Sequence, residues 1–325
     1  PARHLLPPLD RYARLQLATD PQGPTEERLA GYVEASRGCA HRCRHCPVPT
    51  VYDGRTRAVD EEVVLADVAQ LVALGAGHLT FGDPDFLNRP HHALRVARAV
   101  HRAFPHLTFD ATVKVEHVLR HEGVWPELAG LGCLFVVSAF ECVDDATLAK
   151  LDKGHTTADA SRSVALLRDE GIEVRPSFMP FTPWTSLGQI VDLFDWVAAH
   201  DLVGNVDPVQ YSIRLLVPEG SLLLGRDDLD PHLGPYDPDA LTWTWHHPDP
   251  RVDALQVTLA SLAARSGAGR EPMEETYSRM RAEVVSAAGS PPVGRRAPAS
   301  STPPEGRAGR TGVGRRPRLT EPWFC

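Results

Sequence analysis

Six short β-forming runs, each followed by a stretch of helical periodicity, recur between residues 31 and 216 and leave few folds open. The runs are 31–36, 78–82, 107–114, 133–140, 172–179 and 208–216. After the first run Asp60 stands as an N-cap, Val64, Val68, Leu71 and Val72 share one helical face, and Gly75 closes the stretch. Further helices are expected over 91–103, 125–131, 144–151, 157–170 and 186–200. Strands and helices alternating at this spacing predict a parallel sheet with right-handed crossovers. Six units fall short of a full eight. The expected fold class is therefore α/β, a partial (β/α)6 TIM-like barrel.

The rest of the chain reads as additions to that body. Residues 1–30 are Pro-rich and are expected to be an irregular linker, and 31–216 form the barrel. Residues 217–288 form a C-terminal helical cover with helices near 252–265 and 271–288, and 289–325 form a low-complexity linker with a Cys-terminated tail. No apolar run approaches the roughly 18 residues needed to cross a bilayer, so no membrane partner is expected. No basic-then-apolar leader opens the chain, which makes the cytoplasm the expected compartment. The first residue is Pro1 rather than Met, so processing, or a start partway through a longer protein, is expected. The net charge of -8 is uneven: residues 291–318 carry seven Arg and one Glu, whereas residues 1–290 carry 27 basic and 40 acidic side chains. An acidic body is not drawn along a polyphosphate, which disfavours nucleic acid as a partner.

Six Cys are too sparse for a disulfide scaffold, yet three stand together in RGCAHRCRHC. Cys39, Cys43 and Cys46 have C-x-x-x-C-x-x-C spacing, which suits a soft metal or an iron-sulfur cluster. His41 and His45 interleave them, so a Cys3His zinc site fits the same eight residues. A non-catalytic zinc or iron-sulfur protein is thus one reading. Three ligands on a four-iron cube leave one iron open, and that opening suits catalysis. Cys133 and Cys142 flank the fourth run without clustering and read as small core-filling residues.

The segment RGCAHRCRHC resembles the signature of the radical SAM superfamily, whose members carry it in the first βα loop of a (β/α)6 barrel. The resemblance implies an enzyme in which Cys39, Cys43 and Cys46 hold a 4Fe-4S cluster and the open iron chelates S-adenosylmethionine (SAM). An electron from a donor such as a flavodoxin or ferredoxin then cleaves the sulfonium, giving methionine and a 5'-deoxyadenosyl radical that attacks an unspecified substrate. By the same resemblance His45 takes the place beside the adenine, where the superfamily usually has an aromatic carbocycle. FGDPDFL is similar to the Gly-Gly-Glu-type segment, so Gly82, Asp83 and Asp85 inherit the methionine ammonium; a plain Asp-Pro turn also fits it. SAFECVDDATLAKLDKGHT resembles a G-x-E-S segment with a downstream L-x-K-G-x-T, which puts Ser138 and Glu141 at the SAM ribose and Lys153 near the mouth.

Active sites of such barrels gather at the carboxyl ends of the strands. That rule adds Lys114 as a partner for a SAM or substrate carboxylate, Phe181 and Trp184 as pocket walls, and Arg214 as a substrate-carboxylate ligand. LLPPLDRYARL resembles the linker that follows a cobalamin-binding domain in the cobalamin-linked branch, and the body with LTEPWFC resembles its CUAEP/CCAEP-tail family. The latter implies that Cys325 begins a Cys-selenocysteine pair cut off at a UGA codon, a redox tail on a linker that reaches about 30 Å. Cobalamin is then expected only with an N-terminal corrin domain, which makes a cobalamin-assisted methyltransferase the alternative. A tRNA-modifying member is disfavoured by the acidic body.

Overall fold

Leu15 and Leu17 point one way along β1 (Arg14–Ala18). In the computed structural model, which describes residues 1–18, 25–269, 271–289 and 316–320, this strand pairs antiparallel with β2 (Thr25–Val33). A short clamp of β3 (Ser36–Arg37) and β4 (Arg57–Ala58) brackets α1 (Val48–Tyr52). The repeating units follow: α2 (Glu61–Ala73), β5 (Ala76–Phe81), α3 (Pro90–Ala103) and β6 (Thr108–Thr112). Next come α4 (Val115–Arg120), α5 (Trp125–Gly130), β7 (Cys133–Glu141), α6 (Asp145–Leu151) and α7 (Thr157–Asp169). The body continues with β8 (Glu173–Phe178), α8 (Leu187–Ala199) and a hairpin of β9 (Leu233–Asp237) and β10 (Thr242–Trp245). Two helices, α9 (Pro250–Gly269) and α10 (Met273–Ala288), precede β11 (Arg318–Leu319).

The main sheet has the order β11-β1-β2-β5-β6-β7-β8, and β2, β5, β6, β7 and β8 run parallel. This is the expected α/β half-barrel. Period-2 alternation divides each strand between two faces. Leu79, Phe81, Phe109, Val136, Val174 and Phe178 join Val64, Val68, Val96 and Val100 in the core beneath the helices. On the opposite face His78 lies between Thr108 and Asp110, with Nε2 2.9 Å from Asp110 Oδ1, and Thr80 donates to the same oxygen at 2.8 Å. Phe135 and Val137 meet Leu15, Leu17 and Leu319 there in a second apolar cluster.

Three expectations are corrected. Residues 208–216 do not form a sixth strand: Pro208 opens a 3-10 turn through Tyr211, and a single parallel bridge, Phe181 to Arg214, remains. Pro208 brings a fixed φ and no N–H, and the Gln210 side-chain oxygen instead accepts from the Phe178 N–H at 3.0 Å. Residues 1–30 are not irregular throughout, since β1 and the first half of β2 make an antiparallel ladder. The C-terminal stretch also returns to the sheet. Leu319 pairs with Leu15 on β1, so β11 is the edge strand beyond β1, and Arg175 of β8 donates to the Pro317 carbonyl at 3.3 Å. Most of the expected linker, and Cys325, lie outside the described residues.

No helix among the described residues is long and apolar enough to cross a membrane.

Candidate functional site

The cysteine loop leaves the carboxyl end of β2 and is pinned at its base by neighbouring strands. Gly38 stands at φ +77°, and a Cβ there would fall 2.3 Å from the Arg55 carbonyl oxygen, so the turn into Cys39 requires glycine. Buried Asp83, just past β5, accepts from the Ala35 N–H at 3.0 Å and the Ser36 hydroxyl at 2.5 Å. Asn88 Oδ1 accepts from the Ala40 N–H at 3.0 Å and lies 3.8 Å from Cys39 Sγ. On the far side Arg44 N donates to the Leu151 carbonyl at 2.9 Å, and Cys46 N donates to Cys43 O at 3.2 Å. Cys43 is buried, while Cys39 and Cys46 are half-buried. Burial, with Cys43 and Cys39 adding, pushes the Cys46 thiol up to about 11, and burial also raises Cys39. A bound cation reverses that preference and holds thiolates. The donor set fits a soft cationic group.

Opposite the loop, β7 ends in a bulge that puts Glu141 at φ +65°. Its Oε1 lies 3.0 Å from His45 Nε2 and accepts from Lys153 Nζ at 2.9 Å. Burial works to raise the Glu141 carboxyl, but Lys153 and His45 outweigh it and hold it well below the usual carboxylate range. Lys153 is held charged by Glu141 and by Cys43 and Cys46, against the opposing effect of burial. His155, two residues on, is buried with neither ring nitrogen hydrogen-bonded, and burial with the Lys153 charge lowers it to about 4.

A third group closes the site. Lys114, at the N-terminus of α4, lies 3.0 Å from His41 Nδ1 and 3.1 Å from Glu116 Oε2. His41 Nε2 is 3.1 Å from His117 Nε2, and His117 Nδ1 is 2.7 Å from Asp85 Oδ2. Gly154, at φ +73°, backs onto this group, for a Cβ there would stand 2.7 Å from Glu116 Oε2.

The structure thus brings Cys39, Cys43, Cys46, His45, Lys114 and Glu141 to one end of the barrel. Other expected residues are engaged elsewhere. Asp83 is tied to the base of the cysteine loop, and the Gly82 carbonyl accepts from the Tyr32 hydroxyl at 3.1 Å. Ser138 shares its strand face with Val136 and Phe140, and its hydroxyl is buried without a hydrogen-bond partner. Trp184 packs with Leu151, Met179 and Leu215 and donates Nε1 to the Asp228 carbonyl at 2.7 Å. Arg214 stacks on Trp245 at 3.4 Å and binds Asp253 at 2.6 Å, so α9 and β10 occupy the guanidinium proposed for a substrate carboxylate. Asn88, His117 and His155 went unassigned by sequence because their partners lie on other elements, and His41 was read only as an alternative zinc ligand. His41, standing between two of the cysteines, was the one with a visible signal.

The family model described as the Radical SAM superfamily matches residues 33–197. Over 59 residues the chain is 44% identical to the ribosomal protein uS12 methylthiotransferase RimO of Thermus thermophilus, covering 18% of this chain and 13% of RimO. Among solved structures, the cobalamin-dependent S-adenosylmethionine radical enzyme OxsB with aqua-cobalamin bound matches with a TM-score of 0.61 at 14% identity. That match covers 84% of this chain and 51% of OxsB. The radical S-adenosylmethionine methyltransferase TsrM of Kitasatospora setae, with tryptophan substrate and a SAM analog bound, matches with a TM-score of 0.53 at 18% identity, covering 72% of this chain and 52% of TsrM. The chain therefore spans about half the length of these structural neighbours and a small part of RimO.

Proposed function

The chain belongs to the radical SAM superfamily, and from that premise we propose that it cleaves S-adenosylmethionine reductively to start radical chemistry on a substrate. The observation that carries this reading is the placement of three thiols on one pinned loop at the carboxyl end of a parallel half-barrel, facing a buried Glu141-His45-Lys153 group. Cys39, Cys43 and Cys46 would hold a 4Fe-4S cluster, which when bound supplies the electron that splits the SAM sulfonium into methionine and a 5'-deoxyadenosyl radical.

The chain's own residues do the positioning. Lys114 offers an ammonium for a SAM carboxylate, and Glu141, held ionised, fixes His45 and offers its remaining oxygen to a ribose hydroxyl. Lys153 keeps positive charge beside Cys43 and Cys46 and opposes the rise that burial gives the Cys46 thiol. The imidazoles of His41 and His45 are turned to Lys114, His117 and Glu141. That favours the cluster over a Cys3His zinc site.

A finer placement, in the cobalamin-linked branch with a CUAEP/CCAEP-type tail, rests on LLPPLDRYARL and LTEPWFC and on the cobalamin-dependent neighbours. Under it the substrate radical is methylated or otherwise modified with help from a corrin domain outside this chain, and a flavodoxin or ferredoxin supplies the electron. Electron paramagnetic resonance of the anaerobically reconstituted, dithionite-reduced protein tests the proposal. SAM bound at an open iron shifts the cluster signal, and a signal unmoved by SAM rejects the assignment.

A further inference from the structure

Beyond that reading, we propose that His41, Asp85 and His117 form a mononuclear site for a divalent transition-metal ion of the zinc class, separate from the three cysteines. The three side chains come from three elements: the cysteine loop, the turn after β5, and α4. One ligand atom from each lies within 4.8 Å of the others. The two Nε2 atoms are 3.1 Å apart, close to the roughly 3.3 Å between neighbouring ligands on a tetrahedral zinc with bonds of about 2.0–2.1 Å. The two imidazoles already stand at the spacing that a cation needs.

A second observation points the same way. Asp85 is 1% exposed and His117 5%, yet Asp85 Oδ2 and His117 Nδ1, 2.7 Å apart, both lack an aligned hydrogen-bond partner. Leaving such buried atoms unsatisfied costs about 1–3 kcal/mol apiece. A cation on His117 Nε2 fixes the ring proton on Nδ1, where Asp85 Oδ2 accepts it, so Asp85 is the carboxylate that orients the metal-bound ring. Lys114 and Glu116 complete the surroundings. A metal on His41 Nε2 requires a proton on Nδ1, so Lys114 Nζ, now 3.0 Å from Nδ1, must give way and keep only Glu116 Oε2, 3.1 Å from it and 3.6 Å from Nδ1. His121 faces His117 from the next turn of α4, with ring centroids 5.4 Å apart.

Two imidazoles, with Asp85 behind one of them, leave a tetrahedral ion with open positions, as catalytic rather than closed structural zinc has. The open positions would accept water or an anionic oxygen of a substrate entering the barrel mouth.

The test is zinc K-edge X-ray absorption, with metal analysis, on the anaerobic cluster-loaded protein after addition of one equivalent of zinc chloride. The proposal expects one retained zinc with nitrogen and oxygen neighbours at about 2.0–2.1 Å, no sulfur neighbour, and iron content unchanged. Asp85→Asn, which preserves shape, and His117→Ala should each weaken zinc binding at least about tenfold. A triple variant, Cys39→Ser with Cys43→Ser and Cys46→Ser, should still bind zinc, so this inference survives a failure of the cluster assignment. Sulfur neighbours near about 2.3 Å, zinc lost with the cysteines but kept in His117→Ala and Asp85→Asn, or no retained zinc would each overturn it.

Discussion

Lys153 donates to Glu141 Oε1 at 2.9 Å in a pair almost wholly withdrawn from water, with side-chain exposures of 5% and 10%. Removing one partner leaves the other charge buried alone, which typically costs about 3–5 kcal/mol, whereas replacing both with neutral side chains costs far less. Glu141→Gln is therefore expected to lower unfolding free energy by about 3 kcal/mol. Adding Lys153→Met should recover most of that loss in urea titrations. Equal losses in the single and double variants would contradict the buried pair.

His155 sets a pH dependence. It is lowered to about 4 in the fold, against about 6.5 for an unfolded histidine. Between those values the unfolded chain takes up a proton that the native state refuses. The stabilisation is therefore full above about pH 6.5 and is lost as pH falls through about 4, a change of up to about 3 kcal/mol. Urea midpoints at pH 7, 5.5 and 4 should fall more steeply for the natural chain than for His155→Gln. Parallel curves would show that His155 is already protonated or solvated.

Gly82 is packed beneath Tyr32, where an added Cβ would lie 1.9 Å from the phenol ring. Tyr32 is 44% exposed and its ring can swing aside, so Gly82→Ala is expected to cost about 1 kcal/mol or less, chiefly the Tyr32 hydroxyl to Gly82 carbonyl hydrogen bond. Tyr32→Ala alone removes that hydrogen bond, so adding Gly82→Ala to it should lower the melting temperature little further.

The C-terminal strand makes a separate prediction. Leu319 is 4% exposed against Leu15 and Leu17, so Leu319→Ala should destabilise the protein by about 2–4 kcal/mol. A melting temperature within error of the parent would mean that the segment is a dispensable tail.

That strand also marks the limit of what sequence alone shows. The central strands were legible because apolar runs and helical faces alternate over many residues, and the cysteines because their spacing is itself the chemistry. The RLQLA alternation of β1 was hidden by the prolines around it, and two residues of β11 carry no periodicity at all. The expected sixth strand failed at Pro208, where a local rule about backbone donors outweighed an apolar run. Among site residues, Lys114 was named by its position at a strand end and Glu141 by the resemblance of its segment. Arg214 and Trp184 obeyed the same rule yet turned to α9, β10 and the C-terminal cover, since sequence gives no view of which partner a long side chain meets. His117 and His155 became visible only once the strands brought Lys114 and Lys153 beside them.

The central claim is that the pinned loop of Cys39, Cys43 and Cys46 makes SAM cleavage possible. It is tested most directly by quantifying 5'-deoxyadenosine from the anaerobically reconstituted protein with SAM and dithionite, beside Cys43→Ala. The account predicts about four iron atoms per chain and reductant-dependent 5'-deoxyadenosine in the parent, with both lost in the variant. A colourless protein holding one zinc on its cysteines, or cleavage that persists in Cys43→Ala, would contradict it.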